Sequence, residues 1–440
     1  MKYFVLFIVI VSVFGKNEIY KGWKSYYVTP QSKSQLIALA KLKSDVFIDI
    51  DILSQPYIGR EGVYLIKPLH QDSFRQFLKS NNIQYRYHSA DVKRALDSDE
   101  HTRRKRQIDV RDQNQVFPYN SYQELDFIYE YLDDIAAKYP NTVELVEPTV
   151  SFEGRKIKYL KISTTKFNDT SKPIIFIDGG IHAREWITPP VVTWAIHKLV
   201  ENITEPDLLE KFDWILFPVV NPDGYEFTFT TNRFWRKTRS TNQHLHKNDC
   251  TGVDANRNFD FFWNTVGTSS SPCDETYAGR KAFSEVETRA VRDILHDNLN
   301  RLTLYLSLHS YGSMILYPWG HDGSTSEYIK VLRPVANAMA KAIEANKLPH
   351  FPKYMVGNSA LILFYGAAGA SDDYAHMIGV PLSYNIELPG LADGLNGFHL
   401  DPKYIQQVCT ETWAGIVAGA RTTRAWFSFK KFFSRLLKRS

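Results

Sequence analysis

"PIIFIDGGIHAREWITPP", residues 173–190, begins as an apolar run and ends as the opening of a helix. Ile174–Ile177 is short and apolar, as in a strand covered on both faces of a sheet. Gly179-Gly180 supplies the turn. Thr188 as N-cap and Pro189 at the first helical position mark the start of a helix that "PPVVTWAIHKLVENI" continues. His182 and Glu185 lie between strand and helix, on the loop at a strand's C-terminal end, where open α/β sheets hold their ligands. A histidine and a carboxylate three positions apart make an ordinary ion pair or two ligands of a metal, and the spacing alone leaves both open.

Working outward, "WILFPVV" (214–220), "LTLYLSL" (302–308) and "PLSYNIEL" (381–388) are further short apolar runs. Helical patterns such as "EVETRAVRDILHDNL" separate them. From about residue 118 this alternation predicts an α/β domain: a mixed, mostly parallel central sheet with helices on both faces. There is no internal repeat. His309 follows the third run and Glu387 closes the fourth, so three separate segments bring imidazole or carboxylate to one rim of the sheet. Two histidines and a glutamate would leave one position of a zinc ion open for water, and a further carboxylate can take that water's proton. A histidine after a strand is equally a structural residue.

Residues 24–88 read as strand, helix, strand, strand, helix, strand, the order of a small ferredoxin-like α+β domain. After it, "HTRRKRQIDV" (101–110) is a polar, weakly patterned stretch with four consecutive basic residues, read as a solvated linker and a site for a trypsin-like or furin-like protease. "MKYFVLFIVIVSVFG" (1–15) has a basic residue and then an apolar run too short to span a bilayer, the form of a secretory signal peptide. Sequons at Asn168 and Asn202 suit a secreted chain. Of the cysteines Cys250, Cys273 and Cys409, an oxidising compartment lets two pair; spacing does not fix which, although a Cys250–Cys273 bridge closes a short loop.

The net charge of +5 is uneven: +7 over 16–106, −10 over 107–420, and seven basic with no acidic residues over 421–440. An acidic core draws cationic ligands and argues against polyanion binding by the whole chain.

These features together resemble the pancreatic-type zinc carboxypeptidases of the A/B type, over nearly the whole chain. "GGIHAREWITPP" is similar to the family's first two zinc ligands, and "LHSYGSMILYPWG" to the segment of the third, 124 residues on. "TNRFWRKTRS", "GVDANRNFDFFW" and "NIELPG" are also family stretches. The resemblance implies a signal peptide (1–15), a prodomain (16–106, cleaved near Arg106), a catalytic domain (107–424) and a basic amphipathic tail (425–440). It implies one zinc held by His182, Glu185 and His309. Glu387 would be general base, and Arg236 would stabilise the oxyanion. Asn256 and Arg257 would grip the substrate's terminal carboxylate, a guanidinium matching it bidentately. Tyr365 would close over the bound C-terminus and Arg184 would contact the peptide upstream. It implies the Cys250–Cys273 disulfide too, with the prodomain as inhibitor.

"GAAGASDDYAH" (366–376) is similar to the pocket-base segment, which carries an apolar residue in the A branch and aspartate in the B branch. Asp372 there implies preference for C-terminal Lys or Arg; Asp373 is the other aspartate able to fill that role. Gly320 resembles the A branch, and Ala360, expected on the pocket wall, fits neither, so broad or A-like specificity is the alternative. A non-catalytic peptide-binding relative is a third reading, against which the complete set of ligands and catalytic groups counts. The tail, "AWFSFKKFFSRLLKRS", suits an anionic membrane or glycan surface, a packed helix or a disordered end.

Overall fold

The computed structural model describes residues 15–45, 50–111, 117–241, 250–390, 397–398 and 400–437. The expected signal peptide lies almost wholly outside them. Two sheets organise the rest.

The first sheet comprises β1 (Lys24–Thr29), β2 (Ile50–Ser54), β3 (Gly62–Ile66) and β4 (Gln84–Ser89), in antiparallel order β2-β3-β1-β4. Helices Lys33–Asp45 and Gln71–Ser80 connect its halves, as the ferredoxin-like pattern predicts. Tyr26, Tyr64, Ile66, Phe74 and Leu78 form its core.

The second sheet has eight strands: β5 (Val143–Val150), β6 (Lys156–Ile162), β7 (Ile174–Asp178), β8 (Asp213–Phe217), β9 (Leu302–Ser310), β10 (Met314–Tyr317), β11 (Met355–Asn358) and β12 (Leu382–Leu388). Their order is β11-β10-β12-β9-β7-β8-β6-β5. The central four run parallel; β10–β12, β8–β6 and β6–β5 pair antiparallel, and the edge pair β10–β11 is parallel. Because side chains alternate along a strand, each central strand feeds two cores. Ile175, Ile177, Trp214, Leu304 and Tyr384 pack beneath helices Leu125–Lys138, Thr188–Val200 and Ile329–Asn346. Ile174, Phe176, Ile215 and Tyr305 pack beneath helices Val286–Asn298 and Ser371–Ile378. Helices therefore cover both faces.

Three sequence readings are corrected. Helix Val92–Arg111 runs through the stretch read as a linker, since Lys, Arg and Glu are good helix formers even where no apolar stripe marks them. "WILFPVV" leaves the sheet at Phe217, whereas the strand ending at His309 closes one residue on, at Ser310. Thr188 is the first residue of its helix and not the N-cap, so Pro189 stands second. Its hydroxyl is used elsewhere, as described below. Of the readings offered for the tail, the packed helix holds: helix Ile405–Leu437 crosses residue 424 without a break, and Trp426 and Phe427 pack on the core of the larger domain. Among the described residues no helix is long and apolar enough to cross a membrane. Cys250 and Cys273 are bonded, and Cys409 is free and buried.

Candidate metal centre and substrate cleft

At the end of β7 the chain turns at Gly179 and Gly180, the latter with φ 66°, a conformation glycine adopts without strain. Thr188 Oγ1 accepts from the Gly180 amide (2.8 Å) and donates to the Glu185 carbonyl (3.0 Å), closing the loop. That closure turns His182 and Glu185 together, His182 Nδ1 lying 2.7 Å from Glu185 Oε1. The end of β9 brings His309 Nδ1 to 3.1 Å from both His182 Nδ1 and Glu185 Oε2. All three side chains are buried, with one ligand atom of each within 4.8 Å of the others.

The far side of each imidazole is also occupied. His182 Nε2 lies 3.1 Å from Asp254 Oδ1, and His309 Nε2 lies 3.2 Å from Ser307 Oγ. Ser307 donates in turn to Asp178 (2.9 Å), whose other oxygen accepts from Tyr305 Oη (2.6 Å). With the Nε2 protons directed at these acceptors, both Nδ1 lone pairs and a carboxylate face one point. Arg236 Nη1 stands 3.2 Å from His182 Nδ1, and the convergence of two imidazoles and a carboxylate beside it fits a metal with nitrogen and oxygen ligands.

The surroundings keep the charges in place. Burial opposes ionisation of Asp254, but Arg236 and His182 hold its carboxyl well below the ordinary range. Arg236 donates to Asp254 Oδ2 from Nη2 (2.9 Å) and Nε (3.2 Å). Burial works against its charge too, and Asp254 with Glu185 outweighs that and raises it. Burial, then Arg236, lowers His182. Glu185 is lowered despite burial because both histidines face it, and Glu185 in turn lifts His309 against burial to about 9. Glu387 stands opposite His309 in the β12–β9 register. Burial, with Glu185 and Asp372 adding to it and His309 and Arg236 opposing, pushes its carboxyl up to about 7.

A cavity of about 640 Å³ extends from this centre. Arg184, Asn256, Arg257, Tyr365 and Asp372 all line it. Arg257 donates from Nε to the Gly267 carbonyl (3.0 Å) and from Nη1 to that of Asn256 (2.8 Å); Nη2 has no bond among the described residues. Asn256 Oδ1 accepts from the Ser371 amide (2.8 Å). Gly320 lines the cavity, but Ala360 does not: it faces the Gly323 turn, and Ser359 takes the wall. The two aspartates divide. Asp373 turns away to accept from the Gly320 (2.8 Å) and His321 (3.0 Å) amides. Asp372 faces the cavity, and burial, then Asp373, raises its carboxyl to about 7.

The N-terminal domain roofs the same cavity. Asp51 takes Arg184 Nη1 at 3.0 and 3.1 Å, and Glu275 Oε2 stands 3.5 Å from that nitrogen. Tyr57 Oη donates to Met314 Sδ (3.1 Å), and Arg60 Nη2 to the Gly312 carbonyl (2.8 Å).

Residues 128–415 match the family profile described as zinc carboxypeptidase. The chain belongs to the zinc carboxypeptidases. Residues 26–99 match the carboxypeptidase activation peptide, so the roofing domain is that of a zymogen and zinc is the cofactor of the centre. Carboxypeptidase B of Helicoverpa zea is 58% identical over 433 residues, spanning 98% of this chain and all of the relative. Carboxypeptidase B of Rattus norvegicus is 33% identical over 429 residues, 94% of this chain and 97% of the relative. Among solved structures, the carboxypeptidase A of Helicoverpa armigera aligns with a TM-score of 0.87 at 40% identity, covering 93% of this chain and 99% of that one. This zymogen's supporting residues Asp254, Asp178, Ser307, Tyr305 and Glu275 have no role in the sequence reading. Asp254, Asp178, Tyr305 and Ser307 lie inside stretches read there for other residues, and Glu275 lies in none.

Proposed function

We propose that this zymogen is secreted and, once cut near Arg106 by a trypsin-like or furin-like protease, removes C-terminal lysine and arginine from peptides. One observation carries the specificity: Asp372 is buried against the cavity, and among the described residues no Lys or Arg pairs with it. A buried carboxylate without a counter-ion favours a substrate that brings one and disfavours an apolar side chain that leaves it stranded.

Zinc, when bound, polarises the scissile carbonyl and makes a water acidic enough to attack near neutral pH. Glu387 takes the proton of the attacking water and returns it to the leaving amine. A carboxyl raised towards 7 suits both halves of that exchange. Arg236, held rigidly by Asp254, offers Nη1 to the oxyanion. Arg257 and Asn256 hold the terminal carboxylate, Tyr365 closes over it, and Arg184 binds the peptide upstream. In the zymogen Asp51 occupies Arg184, so binding and blocking use one guanidinium.

A second reading, selection of apolar residues, draws on Gly320 and on the similarity to a carboxypeptidase A. The test is to treat the purified zymogen with trypsin and offer peptides ending in Lys, Arg, Phe, Leu or Glu, with and without a zinc chelator. Chelator-sensitive release of Lys and Arg at least tenfold faster than Leu is expected. Faster release of Phe or Leu would overturn the basic specificity and leave the metalloenzyme intact.

A further inference from the structure

Residues 16–23 precede β1 and belong to neither sheet, yet Asn17 is only 1% exposed and Tyr20 only 5%. The larger domain covers them. The Asn17 amide donates to the Thr231 carbonyl (2.8 Å), and its Oδ1 accepts from the Arg233 amide (3.0 Å). One residue thus pairs with two backbone groups of the segment after helix Pro222–Thr230. It does so at φ 63°, in the left-handed region that asparagine enters more readily than most residues with a side chain. Tyr20 Oη donates to Asn232 Oδ1 (2.8 Å), and its ring meets that of Phe234 edge-on, the centroids 5.5 Å apart. Tyr20, Trp23, Val92 and Leu96 cluster with Phe234 and Phe398, apart from the N-terminal domain's own core. This arm therefore serves the junction between the domains, and the small sheet does not depend on it.

The arm's other bonds run to helix Val92–Arg111. Lys16 Nζ pairs with Glu100 (2.8 Å), Glu18 with Lys93 (3.2 Å), and the Trp23 carbonyl accepts from the Val92 amide (3.2 Å). All three partners precede Arg106. A cut there severs the chain but none of these bonds, and the freed fragment keeps both the arm and the part of the helix that braces it. The contacts of Asp51 and Arg60 survive the cut as well. While either patch of one folded domain holds, the other stays at high effective concentration, so both must open together for the fragment to leave.

We infer that residues 16–20 are an anchor that holds the prodomain on the catalytic domain after the chain is cut, so that activation takes two steps, the cut and the release. This rests on the proposed cleavage near Arg106. The partner surface is the 231–234 segment, which takes one backbone donor, one carboxamide and one phenol from the arm.

The full chain is treated with trypsin, which is inhibited once a denaturing gel shows a single cut, because longer digestion degrades the fragment. Size exclusion then shows whether the fragment travels with the enzyme. Stepwise dilution, read by hydrolysis of peptides ending in Lys and in Leu, gives its Kd. In the parent the fragment is expected to co-elute. Kd should rise about fivefold in Tyr20→Phe, which loses one hydrogen bond, and about tenfold in Asn17→Ala, which strands a buried amide. Asn17→Asp keeps the acceptor and tolerates the left-handed conformation, so it should bind no more weakly than the parent. Melting of the uncut variants checks their folding, and Tyr20→Phe is the milder should Asn17→Ala fail. A parent fragment that separates at every concentration, or a Kd unchanged in both variants, would overturn the inference. If the enzyme freed of its fragment hydrolyses neither peptide, the proposed function fails instead, and co-elution still reports on the anchor.

Discussion

The two ends of the cleft are built on opposite plans. At the metal centre every group is held by another: His182 by Asp254, His309 by Ser307 and Asp178, Arg236 by Asp254. At the pocket end Asp372 has no counter-ion among the described residues. Groups that the chain itself pairs need no reorganisation when the reaction begins. Groups that it leaves unpaired wait for something the substrate carries. The contrast separates machinery common to peptide bonds from selection among residues.

The largest effect on this contrast comes from giving the pocket end no charge at all. Asp372→Leu should change the Lys:Leu ratio of kcat/KM by about 100-fold towards Leu, the scale of losing one buried charge partner. Zinc content should be unaltered. A variant that retained the parent's ratio would show that the selecting charge lies elsewhere.

The opposite end is tested by loosening its support. Asp178→Asn keeps the shape but weakens the acceptor for Ser307, and with it the orientation of His309. Zinc affinity, measured by competition with a chelator, should fall about 30-fold, with the Lys:Leu ratio preserved. A shift in that ratio would contradict the separation of the two ends.

A smaller effect follows from pH. Burial, then Asp373, raises the Asp372 carboxyl to about 7, so it is neutral below that pH and charged above it, while a lysine ammonium stays charged throughout. The Lys:Leu ratio of kcat/KM should therefore rise about tenfold from pH 6 to pH 8, and stay flat in Asp372→Asn. Stability moves the other way. A carboxyl raised in the folded state stabilises below its unfolded value, and that contribution is lost as pH rises towards 7. Asp372→Asn should then raise the melting temperature more at pH 8 than at pH 5.

Much of this was legible in sequence wherever structure is local. The strand-turn-helix of 173–190 and the alternating elements of 24–88 carry their periods openly. His309 and Glu387 end strands and so reach the same rim. The residues behind them were not legible. Asp254, Asp178 and Ser307 act by proximity across the sheet, and no spacing along the chain announces that Ser307 bridges Asp178 to His309. The helix over 92–111 was hidden for another reason: a run of basic residues looks like solvated chain, although Lys and Arg are good helix formers. Ala360 was assigned to the wall by analogy, and the turn at Gly323 moved it out.

The central claim, that Asp372 lacks a counter-ion until substrate supplies one, has a direct thermodynamic signature. Binding of arginine, the proposed product, can be titrated calorimetrically at pH 7 to the trypsin-treated protein in buffers of differing ionisation enthalpy. A carboxyl half protonated beforehand should release about half a proton on meeting a guanidinium. Norleucine should release less, and the difference should vanish in Asp372→Asn. Equal proton release with arginine and norleucine in the parent would contradict the account.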